Sequence, residues 1–140
     1  MSQDNSSPLS NSNASQDEDA ANIGALKILV VEDNHDFREL LCEMLQMLGH
    51  TVLSEANGEK ALVKLGQASV DLMITDVTLP GMSGIELAKK VHASHAKLKI
   101  ILSSGYGLSL GTHFSFPVAV LSKPYSLNQL IQALQDVMSS

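Results

Sequence analysis

The sequence lacks the features that would allow internal cross-linking or insertion into a membrane. Cys42 is the single cysteine, so no internal disulfide can form, and its leucine and methionine neighbours are typical of a packed helix. No apolar run approaches the roughly 20 residues that span a bilayer, and the N-terminus has neither the basic start nor the apolar stretch of a signal peptide. These absences predict a cytoplasmic protein without membrane insertion.

Positive charge is also scarce. Nine lysines and arginines stand against 15 aspartates and glutamates, which gives a net charge of −6. Binding to a phosphate backbone needs clustered lysine and arginine, so no direct nucleic-acid partner is expected. Hydrophobic residues make up 44% of the 140 residues, and a chain of this length and composition can bury a core without disulfides or structural metal.

The composition divides the chain into two parts. Residues 1–25 are rich in Ser, Asn, Asp and Gln and have almost nothing to bury, which predicts a disordered leader or linker. A linker from a larger protein, a natural tail and an artificial extension all fit this segment. Residues 26–140 have the alternating texture of one folded domain, and we expect no output domain beyond it.

Short apolar runs alternate with longer amphipathic stretches after Leu26, as in repeated strand and helix units. The five predicted strands are 27–31, 51–55, 71–75, 98–102 and 117–121. The predicted helices are 36–48, 58–65, 84–91 and 126–138, with Gly49 as the stop of the first and Ser126 as the N-cap of the last. The pattern predicts an α/β fold, a doubly wound five-stranded parallel sheet with helices on both faces.

The segment between the fourth and fifth strands is the exception to this pattern. Residues 106–116 contain Gly107 and Gly111 and have no convincing helical stripe. We therefore expect a fourth helix, between these strands, that is short or irregular.

Three carboxylates follow two of the predicted strands. Glu32 and Asp33 end the first strand, and Asp76 ends the third. Converging carboxylates repel unless a cation or protons intervene, and Mg²⁺ is commonly held by one or two carboxylates with waters and a phosphate oxygen. The alternative is that Asp33, Asn34 or Asp36 merely caps the first helix. Three carboxylates at two neighbouring strand ends favour the magnesium site.

Two further strand ends supply a hydroxyl and a fixed positive charge. The fourth run ends in Ser103 and Ser104, and the fifth ends in Lys123. Phosphoryl transfer to a carboxylate needs its equatorial oxygens neutralised, for which a divalent ion, an ammonium and a hydroxyl are suited. A surface lysine and a turn serine would be the simpler interpretation of Lys123 and Ser104 taken singly, but their joint position favours the phosphoryl site.

The motifs at these strand ends closely resemble the receiver domains of response regulators in two-component systems. The resemblance covers residues 26–140 and lies in ILVVEDN, LMITDVTLPGMSG, ILSSGYG and LSKPYS. It implies the flavodoxin-like receiver fold, similar to chemotaxis regulators. SSGYG and the polar leader also resemble receiver modules of hybrid sensor histidine kinases.

This resemblance implies a role for each residue at the strand ends. Asp76 would accept a phosphoryl group from a phosphohistidine, and Lys123 and Ser104 would contact that group. Mg²⁺ would be bound by Asp33, Asp76 and the Thr78 carbonyl, with Glu32 assisting largely through water. Gly81 and Gly84 would shape the adjacent loop, Thr78 and Tyr106 would tune hydrolysis, and the Lys123–Pro124 peptide would be cis.

The same resemblance implies a signalling protein and not an enzyme with its own substrate. Its phosphorylation and dephosphorylation at Asp76 would be self-catalysed, and its partner would be a histidine kinase or a histidine phosphotransfer domain. The signal would pass on through protein contacts or onward phosphotransfer. The sequence departs from the family at Val120, where many receivers have an aromatic switch residue, and in its weak fourth helix, which predicts a monomer or a weak dimer.

Three competing functions fit parts of the sequence. A phosphatase with an aspartyl-phosphate intermediate usually has a second Asp two residues after the nucleophile, where this chain has Thr78. A dinucleotide-binding fold needs a glycine-rich turn where this chain has Glu32 and Asp33. A degenerate receiver that binds partners without phosphorylation would be favoured by an incomplete site, and every required residue type is present.

Overall fold

A five-stranded parallel sheet with helices on both faces forms the body of the protein. The computed structural model describes residues 23–105 and 114–140. Its strands are β1 (Lys27–Val31), β2 (Thr51–Glu55), β3 (Leu72–Asp76), β4 (Lys99–Ser104) and β5 (Ala119–Ser122), in the order β2-β1-β3-β4-β5. The helices in these ranges are α1 (His35–Met47), α2 (Gly58–Gln67), α3 (Gly84–Ser94) and α4 (Leu127–Met138).

Alternating side chains of the central strands build two separate cores. On one face Ile28, Val30 and Ile74 pack with residues of α1 and α4. On the other face Leu29 and Met73 pack with residues of α2 and α3. Because successive strand residues point to opposite faces and both faces are covered, these strands have continuous apolar runs, Ile28–Val31 in β1 and Leu72–Ile74 in β3.

Each helix starts at a polar side chain that accepts a backbone hydrogen bond. Asn34, Asn57, Ser83 and Ser126 are the N-caps, and Ser126 forms a full capping box with Gln129. Gly49 follows α1 with φ of +97°, in the left-handed region that favours glycine, which confirms it as the stop of that helix. None of the helices in the described ranges is both long and apolar enough to cross a membrane.

The sequence predicted the architecture and the first two strands correctly, while the bounds of the other elements differ by at most three residues. β4 extends to Ser104 because Ser103 and Ser104 pair with Asp76 of β3 and Ser122 of β5. β5 starts two residues after Pro117, which has no N–H to donate to the sheet. The predicted irregular fourth helix falls mostly on residues 106–113, outside the described residues, and residues 114–118 form no helix.

The strand order reverses between β1 and β3. The chain passes from β1 outward to β2 and then returns to the other side of β1 with β3. In an open parallel sheet, the crevice at the carboxyl ends of the strands at such a reversal is where ligands bind. Glu32, Asp33 and Asp76 lie at this point.

Candidate functional site

Three carboxylates converge where β1 and β3 end. Glu32, Asp33 and Asp76 each offer an oxygen, and these three oxygens lie within 4.8 Å of one another. Glu32 is 3% exposed and Asp76 is 9% exposed, whereas Asp33 is exposed. The sequence therefore located this acidic group correctly, and its members differ in their access to solvent.

The Lys123 ammonium joins this group from the end of β5. Its Nζ donates to Glu32 Oε1 at 2.9 Å and to Asp76 Oδ2 at 3.1 Å. The Lys123 backbone N–H donates to the Ser104 carbonyl at 2.8 Å, which continues the pairing of β4 and β5 by one residue. The Lys123–Pro124 peptide is cis, as the resemblance implied.

Burial and charge act in opposite directions on this cluster. Burial raises the pKa of Glu32, the bonds from Lys123 and from the Asn34 N–H oppose the rise, and the nearby Asp76 carboxylate adds to it. For Lys123 burial alone would lower the pKa, but the two carboxylate partners outweigh burial and raise it. The ammonium therefore remains charged at neutral pH and partly neutralises the two buried carboxylates.

The loop after β3 is held close to the strand end. The Val77 N–H donates to the Ser103 carbonyl at 2.9 Å, and the Gly84 N–H donates to the Val77 carbonyl at 2.8 Å. A Cβ on Gly84 would overlap the Asp76 carbonyl oxygen and lie 2.8 Å from Val77 Cα, so this close approach requires glycine. Thr78 is exposed within this loop, two residues past Asp76.

The two serines at the end of β4 are both 2% exposed. Ser104 adjoins Lys123 through their backbone bond, while Ser103 is paired in the sheet with Asp76. The Ser103 and Tyr125 hydroxyls are buried, and neither has a well-formed hydrogen bond within the described residues. Burial raises the pKa of the Tyr125 phenol, Glu32 adds to this rise, and the Ser103 hydroxyl opposes it.

Two of the predicted residues lie away from this cluster or outside the described residues. Val120 is 37% exposed on β5, where it pairs with Leu102. Tyr106 lies outside the described residues, so its predicted tuning role has no structural account.

Sequence reasoning assigned no role in the site to four residues around the cluster, although it named one of them, Asn34, as a possible helix cap, which the structure confirms. The Asn34 N–H donates to Glu32 Oε2 at 3.1 Å, and Arg38 Nη1 donates to the Glu32 carbonyl at 2.7 Å. The Phe37 ring lies under the Lys123 ammonium, 4.4 Å from ring centroid to Nζ, and the Tyr125 ring packs edge-on against Phe37 at 5.8 Å. Only the polar cap-forming sequence after β1 gave a signal for any of them.

Comparisons with known proteins agree with this fold. Residues 28–135 match the response regulator receiver domain family. The response regulator receiver protein CpdR of Brucella abortus is 32% identical over 115 residues, which cover 80% of this chain and 96% of that protein. A crystal structure of the response regulator TrrA of Thermotoga maritima in complex with Mg²⁺-BeF is 31% identical, with a TM-score of 0.71, and the match covers 80% of this chain and 98% of that one.

A similar segment also occurs within a much longer protein. The virulence sensor protein BvgS of Bordetella pertussis is 36% identical over 131 residues, which cover 82% of this chain but only 10% of BvgS. Short and long proteins thus share sequence similarity with most of this chain. On these matches, this chain belongs to the response regulator receiver domain family.

Proposed function

We propose that Asp76 accepts a phosphoryl group from a phosphohistidine on a histidine kinase or a histidine phosphotransfer domain. The observation that carries this proposal is the position of the Asp76 carboxylate, which belongs to a group of three carboxylates that could hold a cation and also accepts a hydrogen bond from the Lys123 ammonium. A nucleophilic oxygen beside both a metal site and a fixed positive charge suits phosphoryl transfer, in which charge accumulates on the equatorial oxygens.

The reaction requires one bond to form and one to break. An Asp76 carboxylate oxygen forms the new bond to phosphorus, the bond from phosphorus to the donor imidazole nitrogen breaks, and that nitrogen takes up a proton. Lys123 would exchange a carboxylate partner for a phosphoryl oxygen, and Ser104 would donate a hydrogen bond to another. Lys123 therefore stabilises negative charge both before and after transfer.

The donor set fits a hard divalent cation such as Mg²⁺, which prefers oxygen ligands. Both Glu32 oxygens already accept hydrogen bonds, from Lys123 and from the Asn34 N–H, whereas Asp33 is exposed. Asp33 and Asp76 would therefore bind the ion directly, with the Thr78 carbonyl, and Glu32 would act through water. When bound, the ion neutralises the converging carboxylates and the phosphoryl oxygens. The Mg²⁺-BeF complex of the similar protein TrrA supports this assignment.

The chain would act as a signalling switch and not as an enzyme with a separate substrate. Its phosphorylation and hydrolysis would be self-catalysed, with Thr78 and Tyr106 controlling access of water to Asp76. Similarity to part of the sensor kinase CckA of Brucella abortus supports a kinase partner. The signal would then be passed on by contact with another protein or by onward phosphotransfer.

The deciding experiment is incubation with acetyl phosphate and Mg²⁺ followed by intact mass measurement. The wild-type protein should gain about 80 Da, the mass of one phosphoryl group. Asp76→Asn should show no gain, because the amide is not a nucleophile, and Asp36→Asn on the exposed start of α1 is the matched control. An adduct of equal yield in Asp76→Asn would show that another residue is the acceptor.

A further inference from the structure

The Lys123 ammonium has an aromatic neighbour in addition to its two carboxylates. Its Nζ lies over the Phe37 ring, 4.4 Å from the centroid, while Glu32 and Asp76 accept hydrogen bonds at 2.9 and 3.1 Å. An ammonium has three donors, so the two carboxylates leave one side of the nitrogen to be covered. The negative face of an aromatic ring attracts a cation at this distance.

The first turn of α1, which carries Phe37, is linked by hydrogen bonds to the carboxylate that binds the lysine. The Phe37 N–H donates to Asn34 Oδ1 at 2.9 Å, and the Asn34 N–H donates to Glu32 Oε2 at 3.1 Å. Glu32 in turn binds Lys123, so the contacts close a circuit through these four residues. The Tyr125 ring packs against Phe37 at an interplanar angle of 82°, the edge-to-face geometry that aromatic pairs prefer.

The ring differs from the carboxylates in what else it can bind. Asp76 belongs to the acidic group that could hold a cation and is also the proposed phosphoryl acceptor, so its bond to Lys123 competes with other ligands. The Phe37 ring takes part in neither of these proposed interactions of Asp76. On the basis of the proposed function, we propose that Phe37 is a positioning residue, which holds the Lys123 ammonium beside Asp76 when the Asp76 carboxylate engages other ligands.

A series of fluorinated phenylalanines at position 37 separates this role from simple packing. Fluorine withdraws charge from the ring face with little change in size, so the attraction to the ammonium weakens in steps while packing is kept. With acetyl phosphate and Mg²⁺, the rate of Asp76 phosphorylation should fall stepwise, by roughly threefold to tenfold for the trifluoro residue. Phe37→Tyr keeps the ring and should keep the rate within about twofold of wild type.

The matched control is the same series at Phe114, whose ring lies near Lys89 and packs on the opposite face of the sheet. This series should leave the phosphorylation rate unchanged. A flat series at position 37, or an equal decline at position 114, would overturn the positioning role. The small donor avoids any effect of α1 substitutions on docking to a kinase.

A second readout does not depend on phosphorylation. In protein labelled at lysine, the Lys123 side-chain proton resonances should carry a ring-current shift that Phe37→Leu removes and Phe37→Tyr retains. If the wild-type protein forms no adduct, the proposed function fails, and these resonances still test the contact. Lys123 signals identical in the wild type and in folded Phe37→Leu would overturn the inference on their own.

Discussion

The two ends of the parallel strands use polar side chains in different ways, and they are called here the carboxyl edge and the amino edge of the sheet. At the carboxyl edge, charged side chains bind one another, because Lys123 is shared between the Glu32 and Asp76 carboxylates. At the amino edge, polar side chains bind the backbone instead. His50 Nδ1 accepts the Leu26 N–H at 3.0 Å, and Asp71 Oδ2 accepts the Lys27 N–H at 2.9 Å.

This contrast distinguishes side chains that only stabilise the backbone from side chains that can also bind a ligand. A side chain bonded to a backbone group satisfies a donor that would otherwise be unpaired, and it has one stable arrangement. In contrast, the carboxylates that share the Lys123 ammonium can exchange hydrogen-bond partners when a ligand binds. Substitutions at the carboxyl edge should therefore change chemistry as well as stability, while those at the amino edge should change stability alone.

The largest loss of stability is expected from Gly84→Ala at the carboxyl edge. The added methyl group would overlap the Asp76 carbonyl oxygen, which is backbone and cannot rotate away. We expect a loss of about 2–4 kcal/mol in the free energy of unfolding, since α3 must move from the end of β3. Urea denaturation measures this loss, and phosphorylation of the variant should be slower because Asp76 moves with the strand end.

The control for this substitution is Gly66→Ala within α2. Nothing lies within 4 Å of a Cβ built on Gly66, so alanine should raise the stability by about 0.5–1 kcal/mol through its better helix propensity. Equal effects at the two glycines would mean that the close approach of α3 to β3 is not what requires Gly84.

A smaller loss is expected from Lys123→Met. The change leaves the buried Glu32 and Asp76 carboxylates without their ammonium, while the methionine keeps most of the apolar stem. Because the Lys123 side chain is 24% exposed, we expect a loss of about 1–3 kcal/mol, below the value for a fully buried pair. Addition of Mg²⁺ should restore more stability to this variant than to the wild type.

Lys99→Met provides the amino-edge counterpart. Lys99 Nζ donates to the Ser140 carbonyl at 2.8 Å in an exposed contact, so its removal should change the stability by less than about 0.5 kcal/mol. The Lys99 variant should also respond to Mg²⁺ as the wild type does. A Mg²⁺ response of equal size in both lysine variants would contradict the assignment of the cation to the carboxyl edge.

The strength of the sequence signals explains which features could be predicted before the structure. The apolar run at Lys27–Val31 specifies a strand, and the acidic residues directly after it mark the strand end, because periodicity and strand ends are local properties. The meeting of Lys123 with Glu32, 91 residues away, followed from the general rule that parallel strands end at one edge.

The contact of Phe37 with Lys123 could not be predicted in this way. It depends on the direction in which α1 leaves β1, which is set by the Asn34 cap and by Arg38 on the Glu32 carbonyl. The close approach at Gly84 likewise depends on how α3 packs over β3. Periodicity gives the face that a helix buries but not its distance from a neighbouring backbone.

The effect expected at His50 is smaller than those at Gly84 and Lys123, and it should depend on pH. Burial lowers the pKa of His50, because the folded protein disfavours the charged imidazole and uses Nδ1 as an acceptor. The unfolded chain, with a histidine pKa of about 6.5, then binds a proton more readily than the folded protein does. The stability from this residue is therefore complete above that value and is lost as pH falls through the lowered pKa of the folded state.

His50→Gln tests this dependence, because an amide oxygen can accept the Leu26 N–H without titrating. At pH 7.5 the variant should lose about 1 kcal/mol or less of unfolding free energy, and the deficit should shrink as the pH falls below about 6.5. Urea denaturation at several pH values measures both quantities, with exposed His35→Gln as a control that should change stability by less than about 0.5 kcal/mol at pH 7.5. Phosphorylation of His50→Gln by acetyl phosphate should match the wild type, since the amino edge contributes no group to the chemistry. A slower reaction in a fully folded His50→Gln protein would mean that the two edges are coupled.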